Sequence, residues 1–214
     1  MTSVDDRVHD LHASVRTMSE VAREQLDLAL AAYRSADAGL ARTVVDGDAV
    51  LDSLHREVER DCINLIARHH PVATDLRFVV ATFKVATDLE RVGDLAVKIA
   101  RRATAEDWAP TLGDDLQDVA DLAADIVEDA VHAYLDRDAD TARAVAARDD
   151  DLDAACEART EALFRELVGS GGPSMTDVTS YLLTVRDLER VGDHGENVAA
   201  RTVYAVENDP ALLY

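Results

Sequence analysis

The heptapeptide Asp88-Leu-Glu-Arg-Val-Gly-Asp94 returns without a change at Asp187-Leu-Glu-Arg-Val-Gly-Asp193, 99 residues later. Upstream of the heptapeptide the offset between matching residues is 101, as for Tyr33 and Tyr134. Identity at a nearly constant spacing over this length predicts a tandem repeat. The chain is therefore organised as two copies of one unit, which we divide into residues 1–107 and 108–214.

Each repeat contains two pairs of acidic residues, one in the heptapeptide and one upstream of it. The two acids of a pair are four positions apart, a spacing that places both carboxylates on one face of a helix, one turn apart. The eight acids are Asp48, Asp52, Glu90, Asp94, Asp149, Asp153, Glu189 and Asp193.

The acid pairs of each repeat are symmetric about a turn signal. Asp52 and Glu90 lie 19 positions on either side of Pro71, and proline favours a turn between helices. The corresponding midpoint of the second repeat is Gly171, within Gly-Ser-Gly-Gly-Pro. An antiparallel hairpin that turns at these points brings four carboxylates together about 28 Å from the turn. Each repeat is thus expected to form one acid cluster.

Apolar residues recur at three- and four-residue steps over long stretches, which predicts amphipathic helices. Only 4 prolines occur and aromatic residues make up 4% of the chain, as expected of packed helices. Asp37 and Asp138 are expected N-caps. The helices are predicted at about 4–36, 38–69, 75–105, 114–136, 139–168 and 174–207. The fold class is all-α, a tandem repeat of two antiparallel three-helix bundles.

The charge balance excludes several classes of partner. The chain has 43 acidic residues against 22 Lys and Arg, a formal net charge of −21, so it lacks the cationic face that nucleic acid or an anionic membrane requires. An Asp-rich surface with two lysines is expected of a halophilic source, since the Debye length falls to about 3 Å in molar salt. Without a long apolar run or a signal-like start, we expect a soluble, cytoplasmic protein.

Four converging carboxylates require positive charge or must take up protons, because two like charges 4 Å apart cost about 4 kcal/mol at an effective dielectric constant of 20. One possibility is a salt-bridge network with Arg91 and Arg190, each next to the key Glu. The other is a divalent or trivalent metal ion, for which all-oxygen ligands suit Mg, Mn, Ca or iron. We favour metal because the symmetric arrangement occurs twice. His55 and Cys156 are equivalent in the repeats and are candidates for softer ligands, but ordinary packing of a histidine and a small buried cysteine is the interpretation we favour for them.

Two three-helix repeats, each with Glu-Arg-Val-Gly-Asp in its third helix, resemble the PhoU family of phosphate-uptake regulators. The resemblance covers nearly the whole chain and includes Ile66-Ala-Arg-His-His-Pro-Val-Ala-Thr-Asp-Leu-Arg77 in the first turn. It implies multinuclear metal sites, with iron or zinc in some members and magnesium or manganese in others. Carried over residue by residue, their ligands fall on the eight acids named above.

The resemblance also implies a role without catalysis. Members of the family dampen phosphate uptake by contacting the ATPase subunit of the phosphate ABC transporter, and in bacteria a membrane sensor kinase; we also expect a homodimer. Gly195 and Glu196 replace apolar residues usual after the motif, so we expect the second site to differ from the first in its occupancy or its metal. The alternatives are a ferritin-like carboxylate-bridged metalloenzyme or metal-storage protein, and a structural scaffold whose acids form salt bridges.

Overall fold

The computed structural model describes residues 4–104, 116–167 and 174–213. All regular elements in these ranges are helices. They are α1 (Val4–Ser35), α2 (Ala38–His69), α3 (Ala73–Arg102), α4 (Gln117–Asp136), α5 (Ala139–Ala146), α6 (Asp149–Leu167) and α7 (Met175–Glu207). The all-α fold class is confirmed. The predicted division at 107/108 and the glycine-rich turn around Gly171 lie outside the described residues.

Helices α2 and α5 begin at the two aspartates predicted as N-caps. The Asp37 carboxylate accepts hydrogen bonds from the backbone N–H of Gly39 and Leu40, at 2.7 and 3.1 Å. Asp138 caps α5 in the same way. The first hairpin turns at the predicted proline, where α2 ends and His70 takes a left-handed conformation with φ of 48°.

The middle helix of the second repeat, predicted as one segment over 139–168, is divided into α5 and α6. The break at Ala147 and Arg148 precedes Asp149-Asp-Asp151, whose residues are poor helix formers in a helix interior. In the first turn of a new helix the same carboxylates are favourable, because they face the positive end of the helix dipole. The first repeat has Asp48-Ala-Val50 at this place, and α2 continues through it.

Helices α1 to α3 form the first bundle and α4 to α7 form the second. The two bundles share an interface in which α3 packs against α7 and α1 against α4. Tyr33 and Tyr134, which are repeat equivalents, are both fully buried. In the described part of the chain, no helix combines the length and apolar character needed to cross a membrane.

Candidate functional site

The heptapeptide glycines allow the acid-bearing helices to approach closely. A Cβ atom built on Gly93 would overlap the Leu51 side chain of α2, and one built on Gly192 would overlap Leu152 of α6. Both glycines and both leucines are repeat equivalents, so the same helix contact occurs twice. Because each glycine directly precedes an acid of the heptapeptide, this contact brings the two acid pairs of a repeat together.

The first acid cluster consists of Asp48 and Asp52 on α2 with Glu90 and Asp94 on α3. Burial raises the pKa of Asp48, and the charges of Asp52 and Asp94 raise it further. Burial followed by the charge of Asp94 also raises the pKa of Glu90. The neighbouring carboxylates therefore lie close enough to Asp48 and Glu90 to disfavour the ionisation of these two groups.

Two arginines partly neutralise this first cluster. Arg91 places Nη1 3.1 Å from Asp94 Oδ2 and Nε 3.4 Å from Glu90 Oε2, while Arg56 is 3.6 Å from Asp52. The salt-bridge alternative is thus partly realised here. Both guanidinium groups are exposed, and exposed pairs contribute little to stability. Glu90 Oε2 is buried and has no hydrogen-bond partner.

A buried amide lies beneath the first cluster. Gln25 of α1 is 5% exposed, and neither its nitrogen nor its oxygen has a hydrogen-bond partner. Its Nε2 lies 3.6 Å from the Cβ position of Gly47, and its Oε1 lies 2.9 Å from that of Gly93. An unsatisfied buried polar group costs about 1–3 kcal/mol. The second repeat has Ile126 at this position, so the polar group belongs to the first repeat alone.

The second cluster combines Asp149 and Asp153 of α6 with Glu189 and Asp193 of α7, and Glu196 joins them. Burial is the main cause that raises the pKa of Asp149 to about 6, followed by the charges of Glu196, Asp153 and Asp193. Among the ion pairs of the described ranges, none includes any of these five carboxylates. The second cluster is therefore more strongly negative than the first.

Glu196 is a site residue that the acid-pair spacing missed. It lies seven positions after Glu189 and three after Asp193, steps that place it on the same face of α7. Burial and the charge of Asp193 raise its pKa. The three-residue step from Asp193 to Glu196 is the sequence signal that indicates this residue, since three-residue and four-residue steps both stay on one helix face. The equivalent residue of the first repeat is Val97, which explains part of the difference between the clusters.

The donor set of both clusters suits a hard cation, since carboxylate oxygens are the preferred ligands of such ions. Two carboxylate atoms, Glu90 Oε2 and Asp149 Oδ1, are buried without a hydrogen-bond partner. Over 4–104, 116–167 and 174–213, however, no three Asp, Glu, His or Cys side chains are arranged around one ion position. The carboxylate oxygens are suitable ligands for a metal ion. In this structure, however, they lie near one another without surrounding a common ion position.

The two softer candidates have ordinary partners. His55 Nε2 lies 3.4 Å from Glu59 Oε1 and 3.4 Å from Thr87 Oγ1. Cys156 is buried, and burial is the main cause that raises the pKa of its thiol to about 12. Since the thiolate is the form that binds metal, Cys156 is not prepared to act as a ligand in this state.

The first acid of each heptapeptide has a structural role that its sequence position did not reveal. Asp88 is buried in the interface between the repeats, where Arg201 forms an ion pair with it and His194 Nδ1 lies 3.0 Å from its Oδ1. Asp187 is paired with Arg102 in the same way. These acids connect α3 and α7 directly next to the two clusters.

Comparisons with known proteins agree with the repeat. The family model for the PhoU domain matches residues 15–103 and 116–202. A Caulobacter vibrioides protein called phosphate-specific transport system accessory protein PhoU homolog is 36% identical over 203 residues, which cover 92% of this chain and 86% of that protein. A Pseudomonas putida homologue of the same name is 32% identical over 205 residues, covering 93% of this chain and 78% of its own length.

Solved structures have the same fold over the whole chain. The crystal structure of PhoU from Pseudomonas aeruginosa superimposes with a TM-score of 0.88 at 28% identity, covering 97% of this chain and 100% of that one. The phosphate transport system regulatory protein PhoU from Streptococcus pneumoniae also gives 0.88, at 25% identity, covering 98% and 99%.

Proposed function

Because the chain belongs to the PhoU family, we propose that it is a non-enzymatic regulator of phosphate uptake. It dampens the phosphate ABC transporter by binding the ATPase subunit, and it acts in the cytoplasm, where that subunit is exposed. The observation that carries this proposal is the match of both repeats to the PhoU domain, over residues 15–103 and 116–202. The relatives that match more than nine tenths of the chain are named as accessory proteins of phosphate transport.

We further propose that each acid cluster binds metal. The first site is held by Asp48, Asp52, Glu90 and Asp94, and the second by Asp149, Asp153, Glu189 and Asp193, with Glu196 beside them. Iron, zinc, manganese and magnesium are the candidate ions. Support comes from the raised pKa values of Glu90 and Asp149 and from one buried oxygen of each that has no hydrogen-bond partner. A bound cation would neutralise repulsion that otherwise destabilises the hairpins.

The partner and assembly proposals follow from the same role. A membrane sensor kinase is a second partner where one is present, and the protein acts as a homodimer. The carboxylate-bridged enzyme is not favoured, because each cluster is supplied by two neighbouring helices, α2 with α3 or α6 with α7, rather than by four facing helices.

Phosphate uptake in cells tests the regulatory role. In cells that carry the phosphate ABC transporter, removal of this gene should raise the initial rate of radioactive phosphate uptake at saturating phosphate. Restoring the wild-type chain should lower the rate again. An uptake rate that does not respond to either change, with transporter levels matched, would refute the proposal.

Elemental analysis tests the metal sites. Purified wild type should contain stoichiometric metal, and Glu90→Ala/Asp94→Ala and Glu189→Ala/Asp193→Ala should each lose the metal of one repeat. Glu57→Ala/Asp61→Ala is the matched control, because these acids have the same spacing on the exposed face of α2. Equal metal content in all four proteins would mean that the clusters are not the sites.

A further inference from the structure

A buried amide interrupts the apolar face of α1. Gln25 lies three residues after Ala22 and four before Ala29, both of which are fully buried, and it is itself only 5% exposed. In the described part of the chain, neither polar atom of this amide has a hydrogen-bond partner. Since native proteins rarely bury a polar side chain without a partner, the amide indicates a bound group that these residues do not supply.

The amide lies between the two helices that carry the first acid cluster. Its Oε1 is 2.9 Å from the Cβ position of Gly93 on α3, and its Nε2 is 3.6 Å from the Cβ position of Gly47 on α2. Gly93 directly precedes Asp94, and Gly47 directly precedes Asp48. A Cβ on Gly93 would be too close to Oε1, so this glycine allows the amide of α1 to reach the acid-bearing turn of α3.

The second repeat places a carboxylate oxygen beside the equivalent glycine. Asp149 Oδ1 lies 3.5 Å from the Cβ position of Gly192. Like Gln25 Oε1, it is buried and has no hydrogen-bond partner among the described residues. Two unrelated side chains thus direct an unpartnered oxygen at the same place in the repeat. The arrangement therefore belongs to the place and not to one side-chain rotamer, and a cation or a hydrogen-bond donor is the partner that both oxygens require.

A cation held by the first cluster would supply this partner. Hard divalent cations accept the carbonyl oxygens of Gln side chains as well as carboxylates. Within the described structure, the acids of α2 and α3 do not by themselves surround a common ion position. An oxygen from α1 adds a ligand from a third helix, on the buried side of the cluster.

We propose that Gln25 Oε1 is a neutral ligand of a hard divalent cation at the first acid cluster, an inference that rests on the metal site proposed above. In the second repeat Ile126 stands at the position of Gln25, and the buried oxygen belongs to the charged Asp149. The first site therefore has the lower ligand charge. Because ligand charge and rigidity set the affinity of such sites, the first site depends on the amide for part of its affinity.

Manganese binding by a protein with only the first cluster intact tests this ligand. The parent protein is Glu189→Ala/Asp193→Ala, and the EPR signal of free Mn²⁺ is followed during a titration. Gln25→Met removes the carbonyl oxygen at similar side-chain volume and should weaken Mn²⁺ binding by at least about tenfold. In EDTA the same variant should unfold at a higher temperature than the parent, because a buried amide without a partner is removed. A purely structural role of the amide would not produce these two changes together.

Two further variants of the parent protein control for packing and for the oxygen. Ile126→Met changes the equivalent position of α4 and should leave Mn²⁺ affinity unchanged. Gln25→Glu restores an oxygen and should bind Mn²⁺ at least as tightly as the parent. Equal affinity of the parent and Gln25→Met, or equal weakening by Ile126→Met, would overturn the assignment of Gln25 while the metal site stands. A parent that retains its helical circular dichroism but binds no Mn²⁺ would refute the first metal site itself, and the ligand with it.

Discussion

Asp88 of α3 is paired with Arg201 of α7, and the relationship recurs with the repeats exchanged as Asp187 with Arg102. Each arginine lies 14 positions after the first acid of its own heptapeptide, yet each binds the acid of the other repeat. The two pairs are therefore related by the internal symmetry of the chain. They fix the register between α3 and α7 beside both acid clusters, and so position the clusters relative to each other.

Removal of one arginine from these pairs should destabilise the fold. Asp88 is 6% exposed, and loss of Arg201 leaves its buried carboxylate with His194 as its remaining partner. Removal of one partner of a buried ion pair costs about 3–5 kcal/mol in typical cases. We expect Arg201→Met to lower the free energy of unfolding by an amount of this order, measured by urea denaturation. In Asp88→Asn/Arg201→Met the loss of stability should be smaller than in Arg201→Met alone, because the buried charge is also removed.

Arg143→Met is the control for this prediction. It breaks an exposed pair with Glu207 and should change stability little. If Arg201→Met unfolded at the same urea concentration as the wild type, the pair of Arg201 with Asp88 would not stabilise the interface between the repeats.

Substitution of a heptapeptide glycine should disturb a helix contact and the cluster that depends on it. A Cβ at position 93 overlaps Leu51, so Gly93→Ala should cost about 1–3 kcal/mol, the usual range for overpacking. Gly47→Ala is the control, because its Cβ would meet nothing closer than Gln25 Nε2 at 3.6 Å. Alanine in a helix interior is favoured over glycine by about 0.5–1 kcal/mol, so Gly47→Ala should be neutral or stabilising. Thermal unfolding of both variants tests this expectation. If Gly93→Ala and Gly47→Ala lost equal stability, the close contact between Gly93 and Leu51 would be ruled out.

The charge of Asp149 should destabilise the metal-free protein at neutral pH. Its pKa is raised from 3.8 to about 6 in the folded chain, so the native state binds more protons than the unfolded state between these values. The penalty is present above about pH 6 and disappears as the pH falls toward 3.8. Asp149→Asn should therefore stabilise the chelated protein at pH 7, with a gain that shrinks by pH 4. Asp151→Asn removes an exposed acid of the same turn and should change the stability at pH 7 less than Asp149→Asn does. A constant gain for Asp149→Asn would contradict the assignment.

The second cluster should bind cations more tightly than the first. It has five carboxylates without an ion pair in the described ranges, whereas Arg91 and Arg56 already offset charge in the first. Saturation at 100 times the dissociation constant stabilises a fold by about 2.7 kcal/mol per site. At limiting Mn²⁺, Glu189→Ala/Asp193→Ala should lose more of the metal-induced rise in Tm than Glu90→Ala/Asp94→Ala. If Glu90→Ala/Asp94→Ala lost more of the rise in Tm, the negative charge of a cluster would not determine its affinity for the cation.

The helices and the gathering of the acid pairs could be predicted because they depend on local signals. Asp37 and Asp138 cap helices as their positions indicate, and the symmetry about Pro71 predicts the hairpin that places Asp52 opposite Glu90. These features depend on helix periodicity and turn chemistry, which the sequence carries directly.

The remaining features depend on contacts between elements. Nothing local to Asp88 shows that Arg201 of the other repeat will bury it, because that pairing is set by the way α3 packs on α7. The division of the fifth predicted helix results from three consecutive aspartates, whose preference for a first turn outweighs the apolar periodicity around Leu152. Glu196 falls outside the predicted acid pairs, because it follows Asp193 by three residues and the pairs have a spacing of four.

The most direct measurement of the regulatory role uses the phosphate ABC transporter reconstituted in vesicles with its ATPase subunits accessible to added protein. ATP-driven phosphate transport is measured with and without this chain at a fixed transporter concentration. We expect the chain to lower the transport rate in a saturable manner and to bind the isolated ATPase subunit. A transport rate unchanged at saturating protein, with no binding to the ATPase subunit, would contradict this expectation.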